Sequence, residues 1–98
     1  MKKNTLTQLT QTIKPILADQ NINFLAVFGS VAKGTNRPDS DLDLVVDFSH
    51  KKGLLDLVKL QRELSEKTGQ KVDLITKKSI SKHMKDSIYG SMKVLYER

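Results

Sequence analysis

Cysteine and tryptophan are absent from this chain of 98 residues, which also has only 2 prolines, 5 glycines and 5% aromatic residues. Without cysteine there are no disulfides and no thiolate zinc sites, which agrees with a reducing compartment; the cytoplasm is the expected location. Few backbone breakers beside 38% hydrophobic and 29% charged residues describe a folded chain, not a disordered tract. No apolar run approaches the roughly 20 residues of a membrane span, and Met1-Lys2-Lys3-Asn4 lacks the apolar segment of a signal peptide, so no membrane association is expected. Acidic residues are scarce, 11 against 17 lysines and arginines, giving a net charge of +6 and a pI near 9.7. That sign favours nucleotides, RNA or an acidic protein. The basic residues are scattered, however, at Lys2-Lys3, Lys51-Lys52, Lys77-Lys78, Lys82 and Lys85, with no stacking rings between them, so a dedicated nucleic-acid surface is not favoured.

The few acids are placed informatively. In the run Ser40-Asp41-Leu42-Asp43-Leu44-Val45-Val46, strand alternation sends Asp41 and Asp43 to one face and Leu42, Leu44 and Val46 to the other. Two carboxylates sharing one patch repel each other unless a cation neutralises them. A hard divalent ion meets that need, since Mg²⁺ takes oxygen ligands, usually one or two carboxylates with water and substrate phosphates completing its shell. Upstream, Phe24-Leu25-Ala26-Val27-Phe28 predicts a buried strand ending at Gly29-Ser30, where a strand-to-helix turn can offer backbone N–H groups and a hydroxyl to a phosphate. A solvated strand face is the simpler reading of two acids, but it leaves unexplained why they open a strand whose continuation is apolar on both faces.

The pattern Phe28-Gly29-Ser30-Val31-Ala32-Lys33-Gly34, a polar loop, then Asp39-Ser40-Asp41-Leu42-Asp43-Leu44 resembles the polymerase-beta-like nucleotidyltransferase superfamily, and the small size resembles its minimal nucleotidyltransferases. Val72-Asp73-Leu74-Ile75 stands where that family places a third carboxylate, so the likeness covers nearly the whole chain. The resemblance implies an α/β (α+β) fold with a small mixed sheet packed against helices and the three aspartates on adjacent strands. It also implies two Mg²⁺ ions held by Asp41, Asp43 and Asp73, with ATP as donor. Gly29 and Ser30 would meet the β- or γ-phosphate. Lys33 occupies a position where many relatives carry arginine, keeping the charge but losing the planar fork. Arg37 is a second candidate for the triphosphate. Minimal nucleotidyltransferases of this kind are commonly antitoxins that adenylylate a tyrosine of a HEPN-family ribonuclease toxin, and that partner is the one implied.

Periodicity predicts one domain over residues 1–98, in the order α-β-α-β-α-β-α with a last edge strand. The first helix spans about Thr5 to Gln20 on Leu6, Leu9, Ile13, Ile16 and Leu17, with Pro15 expected to kink it. Strands are expected at Phe24–Phe28, Leu42–Phe48, Lys71–Thr76 and Met92–Tyr96. A helix over Leu54–Lys67 presents Leu54, Leu57, Val58, Gln61, Leu64 and Ser65 along one stripe, broadened by Leu60, and ends at Gly69, and a final helix over Ser79–Tyr89 is expected to break at Gly90. Asp73, inside an apolar strand, is expected to suffer a desolvation cost that a metal or Lys71 must offset. Asp47 has the parity of Asp41 but lies roughly 13 Å along the strand, too far to share an ion. His50 and His83 are isolated and read as surface residues. Two other activities stay open: a binding module that neutralises its partner by contact alone, and nucleotide addition to RNA or a small molecule.

Overall fold

The computed structural model describes residues 5–19, 21–34, 41–49 and 53–98. Arg37, Asp39, Ser40 and His50 lie outside them, as does the side chain of Leu6. Strands β1 (Ile22–Phe28), β2 (Leu42–Phe48), β3 (Val72–Thr76) and β4 (Lys93–Glu97) form one sheet in the order β3-β2-β1-β4. β1 is antiparallel to both β2 and β4, whereas β2 and β3 are parallel, so the sheet is mixed as the resemblance implies. β1 begins two residues before the expected Phe24. Asn21, at φ 54°, makes the turn into it, one of the few non-glycine residue types that tolerate the left-handed region.

The two sheet faces are unequal. Leu25 and Val27 of β1, Leu42, Leu44 and Val46 of β2, and Val72 and Leu74 of β3 turn to one face. There they pack on Leu9, Ile13 and Leu17 of α1 (Thr5–Asp19) and on Leu60 and Leu64 of α3 (Leu54–Thr68). Burial of so many aliphatic side chains, at roughly 25 cal/mol per Å² of apolar surface, is the main force holding this layer together. The opposite face carries a smaller cluster of Phe24, Ala26 and Val45 with Phe28, Ile75, Ile80 and Met92 against it. Lys77 lies over the Phe24 ring, 4.2 Å from its centre, at the far end of that face.

Several local expectations are corrected. α1 runs through Pro15 without interruption, because Pro15 and Gln11, whose carbonyl loses its usual partner, are both exposed to water. In α3 the buried stripe passes through Leu60 and Leu64, flanked by half-buried Leu57, Gln61 and Ser65; Leu54 and Val58 instead face solvent, 73% and 43% exposed. Gly53 N–H donates to Asp56 Oδ2 at the start of α3, half of a capping box, and a glycine has no side chain to supply the other half. Gly69 closes α3 in the left-handed conformation, with its N–H donating to the Ser65 carbonyl. A 3₁₀ turn at Lys77–Ser79 precedes α4 (Lys82–Ser91), so the last helix starts later than expected. Gly90 does not break α4 but lies within it, exposed and with no atom within 4 Å of where a Cβ would stand.

Candidate active site

The acidic site is assembled by strand pairing. Alternation along β2 puts Asp43 and Val45 on the less covered face, and alternation along β3 puts Asp73 and Ile75 there too. In the parallel ladder Asp43 stands directly opposite Asp73, and across the antiparallel ladder it stands opposite Phe28, the last residue before Gly29. Asp41 immediately precedes β2, where the Leu42 N–H donates to the Lys71 carbonyl at 2.8 Å and so ties the starts of the two acidic strands together. The structure therefore brings Asp41, Asp43, Asp73 and Gly29 to one end of the sheet.

Gly29 opens α2 (Gly29–Lys33) with φ +71°, and Asp43 lies against it, so that a Cβ at residue 29 would fall 3.3 Å from Asp43 Cγ. Ser30 is half-buried in the first turn of α2, while Lys33 is exposed in its last turn. The first N–H groups of a helix have no partner within it, so this turn carries donors next to the carboxylates. Asp47 lies at the other end of β2 opposite Phe24, away from the acidic group, as its spacing predicts.

Electrostatics single out Asp43. Its carboxyl is held above its ordinary pKa by partial burial first, then by the negative charges of Asp73 and Asp41. Asp41 and Asp73 are exposed. The expected desolvation of Asp73 is thus overturned: β3 is an edge strand, and its less covered face leaves that carboxylate in water. Among the described residues no three His, Cys, Asp or Glu side chains close into a ready metal cage. An open acidic rim around a charge-strained Asp43 nevertheless fits Mg²⁺, which takes few protein ligands and keeps positions for water and phosphate. A separate cavity of about 220 Å³ lies on the helix-covered side, among Leu9, Thr12, Val31, Leu42 and Thr68, not at the carboxylates.

Two residues of the site's support escape sequence reasoning. The Leu74 N–H donates to Gln61 Oε1 and the Val72 N–H donates to Ser65 Oγ, each at 3.1 Å, so α3 grips β3 on both sides of Asp73. Helical spacing places Gln61 and Ser65 on the inner stripe of α3; their polarity there is the signal that they serve backbone groups.

Residues 11–98 match the family model described as "Polymerase beta, Nucleotidyltransferase". The chain belongs to that nucleotidyltransferase family. Nucleotidyl transfer is therefore its chemistry and a nucleotide its substrate. Over 83 residues it is 39% identical to a Methanocaldococcus jannaschii protein assigned as a protein adenylyltransferase, covering 85% of this chain and 89% of that one. It is 35% identical over 72 residues to protein adenylyltransferase MntA of Thermococcus cleftensis, covering 74% and 73% of the two chains. A solved structure described as a minimal nucleotidyltransferase superposes with a TM-score of 0.78 at 30% identity, covering 95% of each chain. The antitoxin solved with the tri-AMPylated HEPN toxin of Shewanella oneidensis shares the fold, with a TM-score of 0.74 at 19% identity over 95% of this chain and 73% of that one. Among the described residues no helix is long and apolar enough to cross a membrane.

Proposed function

We propose that this nucleotidyltransferase moves AMP from ATP to a hydroxyl of a partner protein, a tyrosine of a HEPN-family toxin, and thereby acts in the cytoplasm as that toxin's antitoxin. The observation that carries the reading is the pairing of Asp43 with Asp73 on adjacent strands, with Gly29 packed against Asp43. The relatives named as protein adenylyltransferases support protein as the acceptor class. The HEPN toxin as partner rests on the shared fold of the antitoxin solved beside it. On this reading residues 1–98 work as one domain that binds the nucleotide while the partner brings the acceptor.

Asp41, Asp43 and Asp73 would hold two Mg²⁺ ions. When bound, these ions stabilise negative charge on the attacking and leaving oxygens. Gly29 lets the backbone approach the triphosphate, and Ser30 offers a hydroxyl to its β- or γ-phosphate. Lys33 adds a point charge and Arg37 a second cation. The acceptor oxygen attacks the α-phosphorus, its proton passes towards the Asp73 carboxylate, and the bond to the β-phosphate breaks to release pyrophosphate.

The test is transfer from ATP labelled at the α-phosphate, with Mg²⁺ and lysate of the source cell, comparing the chain with its Asp41→Asn/Asp43→Asn variant. A labelled protein band that needs both aspartates supports the proposal and identifies the acceptor by mass. Label confined to RNA redirects it, and absence of label leaves neutralisation by contact as the better account.

A further inference from the structure

We propose that Gln61 and Ser65 are positioning residues for the transfer reaction, holding the Val72-Asp73-Leu74 segment of the edge strand so that Asp73 stays opposite Asp43. The proposal rests on the reading of Asp73 as a working carboxylate. β3 is five residues long and, among the described residues, pairs with only one neighbouring strand. A short edge strand presents its outward amides to water and frays, unless something covers them. Here the two amides that bracket Asp73 donate to α3, Val72 to Ser65 Oγ and Leu74 to Gln61 Oε1, both in part-buried surroundings. Gln61 and Ser65 are four residues apart on α3 and so lie on one face of it. They are flanked by Leu60 and Leu64, both wholly buried in the helix-covered core. The clamp therefore stands on the larger of the two buried clusters and reaches the strand from behind, while the Asp73 side chain emerges on the other face.

A helix gripping the backbone rather than the carboxylate has a specific consequence. It leaves Asp73 free to bind and exchange protons, yet fixes where its Cα stands relative to Asp43. Displacement of a reacting group by about 1 Å can cost on the order of 100-fold in rate, so loosening this segment is felt in turnover before nucleotide binding. Ser30 and Gly29, on the other side of Asp43, are untouched by the clamp.

Four variants decide the matter: Gln61→Leu removes the acceptor at similar bulk, Gln61→Glu keeps an acceptor oxygen at the same length, Ser65→Ala removes the second acceptor, and Asp73→Asn tests the carboxylate. Label transfer from α-labelled ATP into the acceptor band of dialysed source lysate is measured per folded molecule, well below the melting temperature, together with amide hydrogen exchange at Val72 and Leu74. Gln61→Leu is expected to lower the saturated rate about tenfold or more while shifting the half-saturating ATP concentration less than about threefold, with loss of protection at Leu74. Gln61→Glu is expected to restore both rate and protection, and Ser65→Ala to act in the same direction as Gln61→Leu, with its loss of protection at Val72. The proposal is overturned if folded Gln61→Leu loses protection yet transfers at the wild-type rate, or if Gln61→Glu is as slow as Gln61→Leu. Should Gln61→Leu not fold, Ser65→Ala decides alone: lost protection at Val72 with an unchanged rate sinks the clamp. Unchanged transfer by Asp73→Asn sinks the reading of Asp73 and the clamp with it, whereas an inactive Asp73→Asn beside a fully active Gln61→Leu sinks the clamp only.

Discussion

Asp43 lies against the Cα of Gly29 so closely that a methyl group at residue 29 would stand 3.3 Å from Asp43 Cγ and 3.5 Å from its Cβ, with Oδ2 in direct overlap. Two costs therefore coincide at Gly29, because its φ of +71° also belongs to the left-handed region. For any residue with a Cβ that region costs roughly 1–2 kcal/mol. Gly29→Ala is expected to lower the melting temperature and, by pushing Asp43 out of place, to reduce label transfer by on the order of 100-fold. A variant that melts lower but transfers at the normal rate would show that the contact is structural alone.

Gly90→Ala is expected to do the opposite. Gly90 sits exposed in the last turn of α4, at a φ that needs no glycine and with open space where the methyl would go. Alanine there should raise stability by up to about 0.5 kcal/mol, less than the full propensity difference of a helix interior because the position lies in the last turn. Urea denaturation measures it, and transfer activity should be unchanged.

The raised pKa of Asp43 gives a signed prediction about pH. A carboxyl whose folded-state pKa lies above its unfolded value contributes fully to stability below the unfolded value and loses that contribution as pH rises through the folded one. The ionised group is thus a liability in the metal-free protein at neutral pH, from burial and from Asp73 and Asp41 beside it. Asp43→Asn is expected to melt higher than wild type near neutrality, with the gap narrowing as the solution is acidified through the carboxylate range. A gap that widens on acidification would contradict the assigned cause.

Added Mg²⁺ should relieve the same repulsion. Ligand that binds only the folded state raises stability by mass action, about 2.7 kcal/mol at 100 times its dissociation constant. Thermal melts of the wild-type chain are expected to shift upward with Mg²⁺ near neutral pH and to shift little for Asp41→Asn/Asp43→Asn. An equal shift in both proteins would place the ion elsewhere.

Strands and faces were legible because their signals are local. The alternation that puts Leu42, Leu44 and Val46 on one side and Asp43 and Val45 on the other is written in consecutive residues, and the structure keeps it. The neighbours of a strand are not local information. Nothing in Val72-Asp73-Leu74-Ile75 says that it pairs on one side only, and that single fact turned a supposedly desolvated Asp73 into an exposed one. Helical spacing likewise brought Gln61 and Ser65 to the inner side of α3, but only the position of β3 reveals which amides they serve. Leu54 and Val58 misled because apolar residues at helical spacing define a stripe whether or not a partner layer lies beneath it.

The parallel pairing of β2 with β3 also bears on which changes in length the chain can absorb. Strand β3 is reached from α3 by the short turn Gly69-Gln70-Lys71, so deleting one residue from that turn would slide β3 by one place against β2. Because side chains alternate, a one-place slide would bring Val72 or Leu74 to the acidic face and send Asp73 into the aliphatic layer under the helices. Insertions and deletions among descendants of this chain should therefore be rare between Gly69 and Lys71, even though that turn has no role in chemistry. That turn acts as a ruler, and its length is inherited together with the aspartate it places.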